Sequence, residues 1–146
     1  VREFLSTTFM QKRLPLIMQA VVGAGVKHCV IMSAYGVGDT VRSASFLMRV
    51  VCKTIMRSIF RDRVKADAMV TKYQPYISRA LPGRLTDKPG KGGAKVVDVT
   101  SVAQVPGIPT IAREDVADAL LSIAGNPLNA GTDFLVTIDD VVLRAT

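Results

Sequence analysis

Apolar positions along the chain alternate between helical spacing and short continuous runs. Residues 13–24 (RLPLIMQAVVGA) place Leu14, Ile17, Met18, Val21 and Val22 on one side of a helix. Pro15 suits only the first turn of such a helix, and Gly25 is placed to end it. Residues 27–33 (KHCVIMS) are instead a continuous apolar run, the pattern of a strand covered on both faces of a parallel sheet. A glycine-rich loop, YGVGDTV, follows at 35–41. Residues 43–60 predict a long amphipathic helix with Phe46, Leu47, Val50, Val51, Ile55 and Ile59 on its apolar side. Arg49, Lys53, Arg57 and Arg61 recur four apart on another face.

A second helix is expected over 62–72, with Val64, Ala68 and Met69 inward. Residues 76–81 (YISRAL) predict a strand stopped by Pro82-Gly83, 86–93 a loop, and 95–99 a short strand. Residues 114–124 predict a helix whose first turn carries Glu114, Asp115 and Asp118, matching the helix dipole. Asn126-Pro127 ends it, and 133–138 is the last strand. Residues 5–10 read as a turn or helix entry. The order α, β, α, α, β, short β, α, β predicts an α/β fold with a parallel sheet, right-handed crossovers and flanking helices. No repeat or linker interrupts it, so residues 1–146 are expected to form a single domain.

The 146 residues are 49% hydrophobic, which is enough for a core and excludes a disordered chain. No apolar run approaches the roughly 20 residues of a membrane span, and no secretory leader pattern opens the chain. Cys29 and Cys52 fall in a strand and a helix, so reduced core thiols are expected. These features predict an intracellular protein, cytoplasmic or in an organelle such as the mitochondrion. The net charge is +7, and residues 42–65 hold seven basic side chains against Asp62 alone, leaving the remainder nearly neutral. That basic stretch reads first as a solvated helix face, and otherwise as a docking face for an acidic partner or anionic lipid. No aromatic residues interleave with the stripe, which ranks nucleic acid last among its partners.

Motif searches narrow the chemistry. Gly23-Ala24-Gly25 stands in the wrong context for a pyrophosphate turn, and Gly36-Val37-Gly38 lacks the third glycine, where Val41 stands. Gly90-Lys91-Gly92-Gly93 has no Ser or Thr at phosphate-loop spacing and reads as a solvated loop. His28 is the one histidine, so no metal set is expected and a structural role is. Tyr35, Tyr73 and Tyr76 are followed four residues later by Asp39, Ile77 and Ala80, so no Tyr-x-x-x-Lys pair exists.

Four segments together carry a resemblance. They are Ala24–Lys27 leading into Ser33-Ala34-Tyr35-Gly36-Val37-Gly38-Asp39, Arg63–Ala68, Leu81-Pro82-Gly83-Arg84-Leu85-Thr86-Asp87, and Ile111–Ala117. In order and spacing they resemble the NAD(P)-binding atypical short-chain dehydrogenase/reductase family, in the nitrogen-metabolite-repressor-like branch that includes biliverdin/flavin reductase. The likeness runs from about Leu5 to Ile138 and covers only the C-terminal part of a Rossmann-like domain. It implies that the N-terminal βαβ half, with its phosphate loop, is lacking here. Strand 27–33 would then have an open edge, to be covered by that segment or by a protein partner. Lys12-Arg13-Leu14-Pro15 departs from the acidic-Gly-x-Arg-Asn-like stretch of relatives.

The resemblance further implies that Ser33, Ala34 and Tyr35 flank a nicotinamide ring and that Pro82, Gly83, Arg84 and Leu85 complete its pocket. Ser33 is the candidate catalytic hydroxyl, able to orient a carboxamide or a water. The expected function is hydride transfer from NAD(P)H to a small conjugated substrate, provided the phosphate-binding half is supplied from outside this sequence. The alternative is a non-catalytic, reductase-like subunit of a larger complex or a redox-sensing regulator.

Overall fold

The computed structural model describes residues 8–54, 57–73 and 76–144, without the side chains at 51–53 and 57–60. Helix α1 (Phe9–Gly23) leads into strand β1 (Cys29–Met32). A 3-10 turn at Gly38–Arg42 precedes α2 (Phe46–Lys53) and α3 (Arg57–Val70). Then come β2 (Ile77–Pro82), β3 (Arg84–Thr86), β4 (Lys95–Asp98), β5 (Val102–Gln104) and β6 (Thr110–Ala112). Helix α4 (Arg113–Gly125), β7 (Asp133–Thr137) and β8 (Val142–Leu143) complete the order.

The main sheet runs β1-β2-β7-β4. Strands β1, β2 and β7 are parallel, with Cys29 opposite Ile77 and Arg79 opposite Asp133. Strand β4 is antiparallel to β7, an antiparallel edge on the otherwise parallel sheet. The connection over 83–94 contains no helix to carry the chain back across the sheet. Strand β4 therefore starts at the carboxyl end and runs backward. Strands β3 and β6 form a small parallel sheet, and β5 and β8 a small antiparallel one.

Helices cover both faces of the main sheet. On one face Leu14 and Met18 of α1 meet Ala66 and Val70 of α3 over Ile77. On the other, Val116, Ala119 and Ile123 of α4 pack on Ala80, Phe134 and Val136. A third cluster joins Tyr35, Ala44, Met48, Leu81, Val102, Val105 and Leu135. Ile17 and Val22, expected inward, lie about half exposed.

The helix expected over 43–60 is two helices, since α2 ends at Lys53 and α3 starts at Arg57. The amide and hydroxyl of Thr54 both donate to the Val50 carbonyl and close the last turn of α2. Phe46, Leu47 and Val50 are exposed, Phe46 at 83%; α2 docks through Met48 instead. Val51, Ile55, Ile59 and Phe60, the Cys52 thiol, and the Lys53 and Arg57 members of the basic stripe lie outside the described residues, as does the chain before Thr8. Val64 and Ala68 are also exposed, against expectation. The reason is polar: α3 turns Asp62 and Asp67 inward. Asp62 accepts from the amides of Met10 and Gln11 at the start of α1, which sets the helix rotation.

Strand β1 is the end of its sheet. Cys29 and Ser33 donate their amides to β2, so Val30 and Met32, out of phase with them, turn their backbone groups to the open edge. There Arg63 donates to the Met32 carbonyl. The Cys29 thiol is free and half-buried, and burial pushes its pKa up. His28 Nε2 lies 3.0 Å from Ser78 Oγ, a structural contact. No described helix is long and apolar enough to cross a membrane, and the described residues hold no metal-binding cluster.

Candidate functional site

Parallel pairing brings the sequence-predicted residues together. The Ser33 amide donates to the Ala80 carbonyl at 2.8 Å, and the Tyr35 amide to the Pro82 carbonyl at 2.9 Å. Ser33-Ala34-Tyr35 and Pro82-Gly83 therefore lie side by side at the carboxyl ends of β1 and β2. Ligands of open α/β sheets bind at that end. Pro82 does not stop the strand before it, as expected, but forms its last residue, opposite Val136.

Gly83 is required by a close approach. A Cβ there would lie 2.3 Å from the Pro109 carbonyl oxygen. The next amide, of Arg84, donates to that same oxygen at 2.8 Å. Arg84 and Leu85 then pair with Thr110 and Ile111, which takes them away from β1 and into the small β3–β6 sheet.

The two hydroxyls of the first segment are already engaged. Ser33 is buried and donates to Asp67 at 2.7 Å. The Tyr35 hydroxyl lies 2.9 Å from Ser43 Oγ, and its ring packs in the core, so Tyr35 presents no side chain to a ligand. Ala34 is half-buried between them.

Behind Ser33 lies a charge network absent from the sequence expectations. Arg79 Nε donates to Asp133 at 2.8 Å, and its Nη2 pairs with the second Asp133 oxygen. Asp67 stands 3.5 Å from Arg79. Burial pushes the Asp67 carboxyl above its usual range, while the Ser33 hydrogen bond and the Arg79 and Arg63 charges hold it back. The Asp133 hydrogen bond and charge keep Arg79 firmly charged. Asp67, Arg79 and Asp133 line a cavity of about 340 Å3 with Asp39, Thr40 and Leu81. A charged residue inside the run YISRAL is the one sequence signal for this network, since a strand arginine of a covered sheet needs buried partners.

The glycine-rich loops are used internally. The Gly36 amide donates to Thr40 Oγ1, making 36–40 a turn. The Gly90 amide donates to Glu114, and the Lys91 and Gly92 amides to the two Asp115 oxygens. Loop 90–93 is thus tied to α4, where a solvated loop was expected. The Gly36 amide and those of Gly90, Lys91 and Gly92 are thereby already engaged within the chain. A second pocket, of about 160 Å3, lies between β3, β6 and this loop.

A family described as NAD(P)H-binding matches residues 6–127. Among solved structures, a short-chain dehydrogenase/reductase of wide type from Veillonella parvula, in complex with NADP, has a TM-score of 0.72 at 14% identity. That match covers 90% of this chain and 59% of that one. An anaerobillin reductase from Escherichia coli O157:H7 has a TM-score of 0.65 at 18% identity, covering 85% of this chain and 56% of that one. An oxidoreductase from Lactococcus lactis has 0.60 at 21%, covering 82% and 50%. The chain thus spans between half and two thirds of the length of the solved structures it matches. Comparison with curated proteins gives no match. These likenesses establish the Rossmann-like α/β fold.

Proposed function

Because the chain belongs to the NAD(P)H-binding family, we propose that it forms the nicotinamide-proximal part of a reductase that transfers hydride to a small conjugated substrate. One observation carries this reading: Ser33-Ala34-Tyr35 and Pro82-Gly83 are locked side by side at the carboxyl ends of β1 and β2. The bound cofactor would supply the hydride. The chain's own contribution is positional. With its proton held by Asp67, Ser33 Oγ offers a lone pair, which suits accepting from a carboxamide N–H or a water.

Of the residues this reading sets beside the ring, Ala34 and Gly83 are partly exposed, while Ser33, Tyr35 and Pro82 are buried and support them from beneath. The amides of Gly36 and of Gly90, Lys91 and Gly92 already have acceptors within the chain. On this reading the pyrophosphate is held by polypeptide outside this sequence. The open edge of β1 is where such polypeptide would pair, because Val30 and Met32 direct backbone groups there.

A second reading rests on α2. Phe46 and Leu47 stand exposed beside Arg42 and Arg49, a mixed apolar and basic face suited to docking in a non-catalytic subunit or regulator. NADPH titration of the untagged native protein, followed by fluorescence with intact mass measured in parallel, separates the two. Binding in the micromolar range supports the reductase. Absence of binding by the intact protein refutes it and leaves the docking subunit.

A further inference from the structure

We propose that the pocket between β3, β6 and loop 87–91 is an anion subsite that holds a carboxylate or phosphate group of the substrate. The assignment to the substrate rests on the hydride-transfer reading; the anion site itself rests on the following geometry.

The pocket lies past the carboxyl ends of β2 and β7, the end that also carries Ser33 and Pro82. Arg84 and Thr86 of β3, Thr110 of β6, and Lys88 and Lys91 of the loop line it. Among the described residues none of these three cations has a carboxylate partner. Their neighbours do: Arg113 pairs with Asp87 at 2.7 Å, and Lys95 with Asp140. One carboxylate, that of Asp115, belongs to the lining. It is buried, and its two oxygens accept from the Lys91 and Gly92 amides at 3.1 and 2.8 Å. The lining itself holds three cations and one carboxylate; Asp139, which accepts from the Thr110 amide at 3.2 Å, and Glu114, which accepts from the Gly90 amide, border it. Two threonines add hydroxyl donors, Thr86 being held only by a 3.5 Å contact to the Ile111 carbonyl.

The frame is rigid. Gly83 and Arg84 press against Pro109, and the loop is fastened to α4 at Gly90, Lys91 and Gly92. The backbone that carries the cations is thus set before a ligand arrives, which lowers the ordering cost of binding. A volume of about 160 Å3 is well below the roughly 300–1,000 Å3 of whole-ligand pockets, so it takes one group of a larger molecule.

The test uses calorimetric titration of the intact native protein with succinate and with inorganic phosphate, each alongside NADPH. The variant is Lys88→Gln with Lys91→Gln; both side chains are exposed, so folding is spared. Saturable binding of one anion, weakened at least about tenfold in the variant with NADPH affinity unchanged, supports the proposal. The tighter probe tells carboxylate from phosphate. An equal loss of NADPH affinity overturns the substrate assignment, since the lysines then serve cofactor phosphates. Absence of anion binding, or binding indifferent to the variant, overturns the site. Lysine-dependent anion binding without any NADPH binding leaves the site standing and refutes the nicotinamide reading.

Discussion

Arg79→Met tests whether the charge network behind Ser33 holds this part of the fold together. Methionine keeps a long, flexible side chain and removes the guanidinium that bridges α3, β2 and β7. The native group makes a two-point pair with Asp133 and stands 3.5 Å from Asp67. Removing one member of a buried pair costs roughly 3–5 kcal/mol, because the remaining charge has lost its partner. Arg79 and Asp133 each keep about a fifth of their side-chain exposure, 23% and 22%, which places the cost near the lower end, about 3 kcal/mol. That is a large share of the roughly 5–15 kcal/mol that holds a domain together.

The loss should depend on pH in a definite direction. Burial raises Asp67 in the folded protein, against Ser33 and the charges of Arg79 and Arg63, while Asp133 adds to the rise. A carboxyl raised on folding costs nothing below its unfolded pKa of about 3.9, where both states are protonated. It costs progressively more as pH climbs to and past its folded pKa. Without Arg79 that folded pKa rises further, so the deficit is greatest near neutrality and narrows on acidification. Urea unfolding of both proteins at about pH 7.5 and about pH 5 measures it. Adding Asp67→Asn to Arg79→Met should restore part of the loss at the higher pH. A deficit below about 1 kcal/mol, or one that widens toward the lower pH, would refute the reasoning.

Two further outcomes follow from the contacts around the second pocket. Gly83→Ala forces a Cβ against the Pro109 carbonyl, which is backbone and cannot swing aside; a loss of about 1–3 kcal/mol is expected by thermal unfolding, and an unchanged melting temperature would contradict the approach. Asp115→Asn weakens the charge that the Lys91 and Gly92 amides share, so those two amides should exchange with deuterium faster than in the parent at a stability cost of about 1–3 kcal/mol; unchanged exchange at both would show that the loop is fastened otherwise.

Hydrophobic periodicity and turn residues were enough to read α1, β1, β2, α4 and β7, because the helices show an apolar stripe at helical spacing and the strands a short continuous apolar run between turn signals. The strands β3, β5, β6 and β8 were not legible. They are two or three residues long and exist through pairing with distant segments, such as Leu85 with Ile111. The juxtaposition of Ser33 with Pro82 was implied by the family resemblance, and the parallel pairing of β1 with β2 produces it. The direction of the Tyr35 side chain did not, because Ser43 and the core formed by Leu81 and Val105 decide it.

The α/β class and the helix-covered strands were set by local pattern alone, since burial of apolar surface needs only the right period. The rotation of α3, the backward run of β4, the Asp67–Arg79–Asp133 network and the cationic pocket came from tertiary contacts. Each depends on charges or amides far apart in the chain meeting across packed elements. A one-dimensional pattern records that an arginine lies in a strand or a carboxylate in a helix, but not which partner desolvation forces upon it.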